Sequence, residues 1–572
     1  MINKAFIVVA IGAILGFGLF NTALATSPGQ DLQAGIQKID IKVVKKAVEE
    51  LVRQNDEPAF NSLSNAAVSV EGIAESTEML WAILDGIGRL TNSAVIPKIT
   101  NFILKHKDRD LGKALLSAMR SNQSQDMISL LSAIVDKGTY EMKLECLRQF
   151  GNIRIKESVE ALINLLKSID EKDKPAGSPA DRDKSKKELL EHIYASLNDL
   201  TREPDKYHSN YTLWMEWWEK SKDKGTAEIV VQKKAVSGED NVGKYRPMSI
   251  VQTLEKDKVI VVRNDRCDEN IKKAGGKGFD CNFDKIQDVL AALNIPFTLV
   301  GKSELDKESY SLDDKWALVF NCNLFADHCC NPEHLKLPPT QKKLDKVRLW
   351  QCPGTENHIT HKTELSDKTI KKIKRFVDTG GYLFTEDLNI MEIIQRAFPK
   401  TISQSTFLIE RTVRILPEPA AVLHPYLKYV FEAPPMAQPP AASMPGQPSG
   451  ETKSVKPGEL SLDSEWQIDN QSPNIKVIDK NLVTVLIVSP QMAKQYKDEG
   501  AVAVTFRVVD PSIQATGGKD ITYLPGGRVL HVMSHFGHQK SKVSEFALQN
   551  LLVNFLEELG KYKPKAPKVV KK

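Results

Sequence analysis

Residues Asp378–Asn389 read DTGGYLFTEDLN, and this stretch decides the fold of the second half of the chain. Upstream, SDKTIKKIKRFVDTGG has helical periodicity, with Ser366 placed to cap its start and Gly380–Gly381 to end it. GYLFT is a short apolar strand, and DLNIMEIIQRAF is helical again. A helix, a glycine pair, an apolar strand and at once another helix is the grammar of a parallel sheet covered on both faces.

The same alternation extends outward. KVIVVRN (Lys258–Asn264), PFTLVG and WALVFNC (Trp316–Cys322) are strands, and FDKIQDVLAALN (Phe283–Asn294) is an amphipathic helix. Downstream, LVTVLIVS, AVAVTFRVV and GRVLHVMS are strands, and SEFALQNLLVNFLEEL is a closing helix with one apolar stripe. These elements predict a three-layer α/β domain over 258–562 with a mostly parallel sheet. Residues 433–458, rich in Pro, Ala and Ser at their start, are read as a disordered insertion, and 563–572 as a basic, solvated tail.

The first half has a different period. Apolar residues recur at three- and four-residue spacing, with almost no alternating stretches. Leu84, Ile87, Gly88, Ile96, Ile99 and Phe102 match Leu147, Phe150, Gly151, Val159, Leu162 and Leu165, 63 residues on. Leu116, Ile128 and Leu131 fall about halfway, so the unit is about 31 to 32 residues, a helix pair that must stack on copies of itself to bury its apolar face. The pattern resembles HEAT-type repeats, and an all-α, HEAT-like solenoid is expected over 26–220. Lys167–Lys187, charged and broken by prolines, is expected to be a flexible loop. Trp214, Trp217 and Trp218 share one helical face, and core packing at the end of the stack is the expected role. Residues 221–257 are read as a linker.

Residues 1–25 read as a signal peptide. Lys4 precedes the apolar run Ala5–Phe20, and Ala23 and Ala25 form a small-residue cleavage pattern. The alternative is an uncleaved anchor. The expected location is exported, in the periplasm or cell envelope of a bacterium, with no membrane span after cleavage. With 572 residues, 41% hydrophobic, 26% charged and a formal net charge of +5, the composition is that of a multidomain globular protein and lacks the concentrated basic face of a nucleic-acid binder.

The order of elements in the second half resembles the class I glutamine amidotransferase-like fold, a flavodoxin-type α/β layer. The resemblance spans Lys258–Tyr562 apart from the insertion. It implies a nucleophile turn at Thr385–Glu386–Asp387, where no cysteine stands and Glu386 and Asp387 are acidic. It places His535, in VLHVMSHFGHQ, at the catalytic histidine, followed by Phe536 and Gly537 in place of Pro-Glu. A carboxylate is a poor substitute for a thiolate in amide attack, so the implied domain is degenerate and an Asp387–His535 pair is expected to be structural. Cys322, at a strand end, is a rival nucleophile that lacks an obvious base and orienter.

Cysteines and histidines crowd the stretch between residues 267 and 361. An oxidising compartment predicts disulfides among Cys267, Cys281, Cys322, Cys329, Cys330 and Cys352, with Cys267–Cys281 closing a short loop. Cys146 is expected to be a buried thiol. A metal site from His328, His334, His358, His361 and His538 is the alternative, with zinc as the ion, although no CxxC pair is present. No cofactor is otherwise expected. The functional expectation is a binding or scaffolding protein that meets a protein partner through the helical array. The runners-up are a hydrolase or carbohydrate-active enzyme, since trehalose-utilisation-type relatives of this fold have a similar strand-to-histidine ending, and a metal-binding protein. The small-molecule ligand, if any, is unspecified.

Overall fold

Short polar side chains start several helices of the first half. The computed structural model describes residues 27–562 except 72, 74–75, 173–178, 202–206, 208–209, 231–240, 266–285, 323–327, 330–359, 362–363, 433–459, 463, 470–471, 497–498 and 509–525. The stretches read as a signal peptide, a disordered insertion and a basic tail therefore lie outside the described residues. Ser27 caps α1 (Pro28–Gln37), Asp40 caps α2 (Ile41–Gln54) and Asp56 caps α3 (Glu57–Val70), each side chain accepting from a first-turn amide. There follow α4 (Thr77–Gly88), α5 (Ile96–Lys105), α6 (Asp110–Ala118), α7 (Met127–Lys137), α8 (Tyr140–Phe150), α9 (Lys156–Lys172), α10 (Pro179–Thr201) and α11 (Tyr211–Ser221).

Most of the residues matched at the repeat spacing are buried, while Phe102, Ile128 and Leu165 are partly buried. Leu84, Ile87, Ile96 and Ile99 are buried, as are their counterparts Leu147, Phe150, Val159 and Leu162. Helix α4 packs on α2 and α6, and α8 on α6 and α10, while α7 packs on α5 and α9. Gly88 is needed for the close approach of α4 to α6, because a Cβ there would lie 2.5 Å from the carbonyl oxygen of Ala118. Trp214 and Trp218 are buried, and α11 packs on α9. The charged stretch after residue 167 is shorter as a connection than expected, since α9 runs to Lys172 and α10 begins at Pro179, a position where proline is compatible with a helix. Among the described residues no helix is long and apolar enough to cross a membrane.

The second half is built on β1 (Val259–Arg263), β2 (Thr298–Gly301), β3 (Ala317–Phe320), β4 (His328–Cys329), β5 (Thr360–His361), β6 (Tyr382–Glu386), β7 (Ile402–Phe407), β8 (Arg411–Arg414), β9 (Leu416–Pro417), β10 (Glu465–Ile468), β11 (Pro473–Val477), β12 (Val483–Val488), β13 (Ala501–Val508) and β14 (Gly527–Val532). Eight of them form one sheet in the order β2-β1-β3-β6-β14-β13-β12-β9. The run from β2 to β14 is parallel, and the last three neighbours are antiparallel. The sheet is therefore mixed, with four parallel pairings and three antiparallel ones on one side. Apolar runs such as LVTVLIVS and AVAVTFRVV state burial but not direction, and β12 and β13 are joined by a short segment with one small helix, which an antiparallel neighbour permits. The covering helices include α12 (Ile286–Ala292), α13 (Asp367–Asp378) and α14 (Lys542–Tyr562). Gly380 takes a positive φ of 107° after α13, as the glycine-pair stop requires. Two small antiparallel pairs, β8–β10 and β7–β11, were not read from the sequence.

The two halves are joined through buried and part-buried polar contacts. The indole of Trp81 on α4 donates to the carbonyl of Pro417 in β9 at 2.9 Å. Arg414 pairs with Glu78. Glu145 and Arg148 on α8, with Arg120, form a buried cluster with Glu432 from the α/β half. Part of the 221–257 stretch read as a linker is docked: Arg246 is buried against α14, donating to Asn550 and Asn554 at 3.0 and 2.8 Å and pairing with Glu557 at 2.8 Å.

Candidate functional site

Three neighbouring parallel strands end on the same edge of the sheet. Cys322 lies just past β3, Asp387 just past β6 and His535 just past β14. The register pairs Val532 with Glu386, and the Asp387 amide donates to the Val532 carbonyl at 2.8 Å, so the residues leaving β6 and β14 start side by side. This is the carboxyl edge, where ligands of open α/β sheets bind.

Asp387 is the pivot of the cluster. Its Oδ2 lies 2.9 Å from His535 Nε2 and accepts from the Cys322 thiol at 3.8 Å. One ligand atom from each of the three residues lies within 4.8 Å of the others. Cys322, Asp387 and His535 are 0%, 4% and 1% exposed, so the cluster is sealed from solvent. The backbone of Asp387 has a left-handed φ of 40°, at a strand-to-helix turn where aspartate is one of the few residues that tolerates it. Such a turn presents a side chain off the end of a strand, and outliers of this kind cluster at functional sites. Glu386, its neighbour, is fully buried as the last residue of β6.

The loop carrying His535 is held on several sides. Ser534 donates to the Gln467 carbonyl at 2.7 Å, and Gln539 Nε2 donates to the His535 carbonyl at 2.8 Å. Gly537 has a φ of 77°, which explains a glycine where the family resemblance would place glutamate. Next to the cluster, Asp469 Oδ2 lies 3.8 Å from His535 Nε2 and 3.3 Å from His538 Nδ1. Burial works to raise the Asp469 carboxyl, but the hydrogen bond from His538 and the nearby His535 outweigh it and hold the group below its ordinary range. Asp469, directly after β10, carried no spacing signal in the sequence. The other histidine of the VLHVMSHFGHQ stretch, His531, is inside the sheet, bonded through Nδ1 to Thr385 Oγ1 at 3.0 Å, and burial pushes it down to about 3, so it is a neutral core residue.

The remaining candidates divide. Cys322, placed among the cysteines expected to form disulfides, is a buried thiol that donates to the Asp387 carboxylate. Cys146 is a buried free thiol, and burial raises it well above the usual range for a cysteine. His328 and His361 are paired residues across the short β4–β5 ladder, with Cys329 opposite Thr360. Cys267, Cys281, Cys330, Cys352, His334 and His358 lie outside the described residues. His538 stands apart from the Cys322–Asp387–His535 cluster and meets it through Asp469.

No family model, curated protein or solved structure matches the chain.

Proposed function

We propose that the protein is an exported, non-catalytic binding or scaffolding protein of the bacterial cell envelope. In this reading its first half is a HEAT-like array that meets a protein partner, and its second half is a degenerate amidotransferase-like domain. The observation that carries it is the turn after β6: the position that would hold a thiol nucleophile holds Asp387, its carboxylate bonded to His535 and closed to solvent. Amide transfer needs a thiolate paired with a base. Here the Cys322 thiol is the donor and the carboxylate is the acceptor. The array reading is supported by the stacking of alternate helices and by the buried apolar positions at the repeat spacing. The Trp81, Arg414 and Arg148 contacts attach that array to the α/β half.

The left-handed turn at Asp387 favours one second reading, a hydrolase in which the carboxylate attacks and His535 activates water. One experiment separates the two. Purified protein is assayed for ammonia release from glutamine and for hydrolysis of simple esters and glycosides, and the binding reading expects the buffer blank. Turnover above blank that is lost in His535→Ala, with the fold intact by circular dichroism, overturns it. N-terminal sequencing of the envelope fraction tests export: Thr26 is the expected first residue, and an intact Met1 refutes cleavage.

A further inference from the structure

We propose that Cys322, Asp387 and His535 form a binding site for a single zinc-class divalent cation, with Asp469 as the nearest fourth donor. This goes beyond the scaffolding reading and does not depend on what the helical array binds. One sulfur, one nitrogen and one carboxylate oxygen is a donor set suited to zinc and its neighbours, while magnesium and calcium prefer oxygen alone. Tetrahedral coordination at ordinary zinc bond lengths sets donor pairs about 3.3 Å apart for nitrogen and oxygen and about 3.6 Å apart for sulfur and oxygen. The present spacings are 2.9 Å for His535 to Asp387 and 3.8 Å for Cys322 to Asp387. Changes of a few tenths of an ångström would bring both pairs to coordination distances, with hydrogen-bonded protons giving way to the ion.

Charge supports the assignment. A thiolate, a carboxylate and a neutral imidazole from the three buried residues around a divalent cation sum to zero, which keeps the desolvation cost of the buried part of the site low, and Asp469, with its side chain 25% exposed, adds its negative charge where water reaches it. The donors follow the ends of three neighbouring strands of one sheet, so the strand register brings them to one edge, and the hydrogen bonds of Ser534 and Gln539 fix the loop that carries His535. Asp469 Oδ2, 3.8 Å from the same His535 nitrogen, is placed to close the coordination, and His538 bonded to it orients the carboxylate as an outer partner. On binding, the Cys322 thiol proton is released to solvent and His535 presents Nε2 with its own proton on Nδ1, so uptake of the ion is accompanied by loss of protons.

The test uses the full-length protein stripped with a chelator and titrated with cobalt(II) as a spectroscopic substitute for zinc, alongside metal analysis after zinc loading and dialysis. Variants Cys329→Ala, Cys330→Ala and Cys352→Ala, made together, exclude the other cysteine-rich segment. The proposal expects one tightly bound equivalent and a thiolate-to-cobalt charge-transfer band, both retained in the triple variant and both lost in Cys322→Ser. Asp469→Asn is expected to weaken binding by about 10- to 100-fold without abolishing it, in the manner of a peripheral or replaceable donor. Where Cys322→Ser does not fold, alkylation of Cys322 in the wild-type protein is read by mass spectrometry after brief denaturant pulses. Protection by zinc but not by magnesium supports the site. Absence of the band, binding unchanged in Cys322→Ser, or binding lost only in the triple variant overturns it.

Discussion

Replacing Arg148 by methionine should destabilise the protein by about 3–5 kcal/mol at pH 7, the usual cost of stranding a buried charge. Arg148 NH2 lies 2.7 Å from a Glu145 oxygen, its other end pairs with Glu432 from the α/β half, and Arg120 Nε completes the cluster at 2.6 Å from Glu145. All four side chains are buried. Burial alone would raise the Glu145 carboxyl, but Arg120 and Arg148 outweigh it and hold it down at about 2, against an ordinary 4.5. That difference is about 3 kcal/mol of preference for the ionised form, at 1.36 kcal/mol per unit. Arg148 and Arg120 share it, and loss of Arg148 also leaves Glu432 with the more distant Arg120, at 3.7 Å, and the Tyr429 amide, at 3.1 Å. Because the folded carboxyl is depressed, its stabilisation is present above pH 4.5 and is lost as pH falls toward 2. Urea unfolding of wild type and variant, followed by circular dichroism between pH 3 and 7, measures both effects. The acid sensitivity of the variant should be reduced. Midpoints that differ by less than the equivalent of about 0.5 kcal/mol at pH 7, a range typical of surface changes, would refute the reasoning.

Three further outcomes are expected. Burial, with Asp110 acting in the same direction, pushes Glu418 up to about 7, so its stabilisation is complete below pH 4.5 and is lost as pH rises through 7; Glu418→Gln should be more stable than wild type at pH 8 by about 1–3 kcal/mol and equal to it near pH 4, read by thermal melts at both pH values. Trp81→Phe deletes the bond to the Pro417 carbonyl and leaves a buried acceptor, which should cost about 1–3 kcal/mol in chemical denaturation. Gly88→Ala places a Cβ 2.5 Å from the Ala118 carbonyl and 2.9 Å from its carbon, both backbone atoms, and should lower stability by about 1–3 kcal/mol in a melt that leaves the helical signal of the folded state unchanged.

Much of the site was legible because its residues end strands. A helix closed by Gly380–Gly381 and followed by an apolar run marks β6, and the residue after such a strand lies at the sheet edge whatever the rest of the fold is. VLHV marks β14 in the same way, and the resemblance to the amidotransferase-like fold named Asp387 and His535 together. Cys322 follows ALVF by the same logic, but its neighbours could not be known, since which strands lie side by side is a matter of non-local pairing. That is why it was counted both with the cysteines expected to bridge and as a nucleophile. Asp469 had no local signal at all, because it reaches His535 from a loop attached to a minor ladder.

The sequence by itself determined the helical period of the first half, the alternation of the second, the Ser366 cap that starts α13 and the acidic residue at the turn after β6. These depend on local backbone preference and on which face of a short segment is apolar, and both are written in neighbouring residues. Only the tertiary structure decided that β14 continues into antiparallel neighbours, that Arg246 packs on α14, that Glu145 and Arg148 meet Glu432 across the junction, and that a thiol, a carboxylate and an imidazole close on one another at the sheet edge. Strand order and side-chain convergence are set by the competition among long-range pairings to bury apolar surface and satisfy buried polar groups, and no segment carries the result of that competition alone.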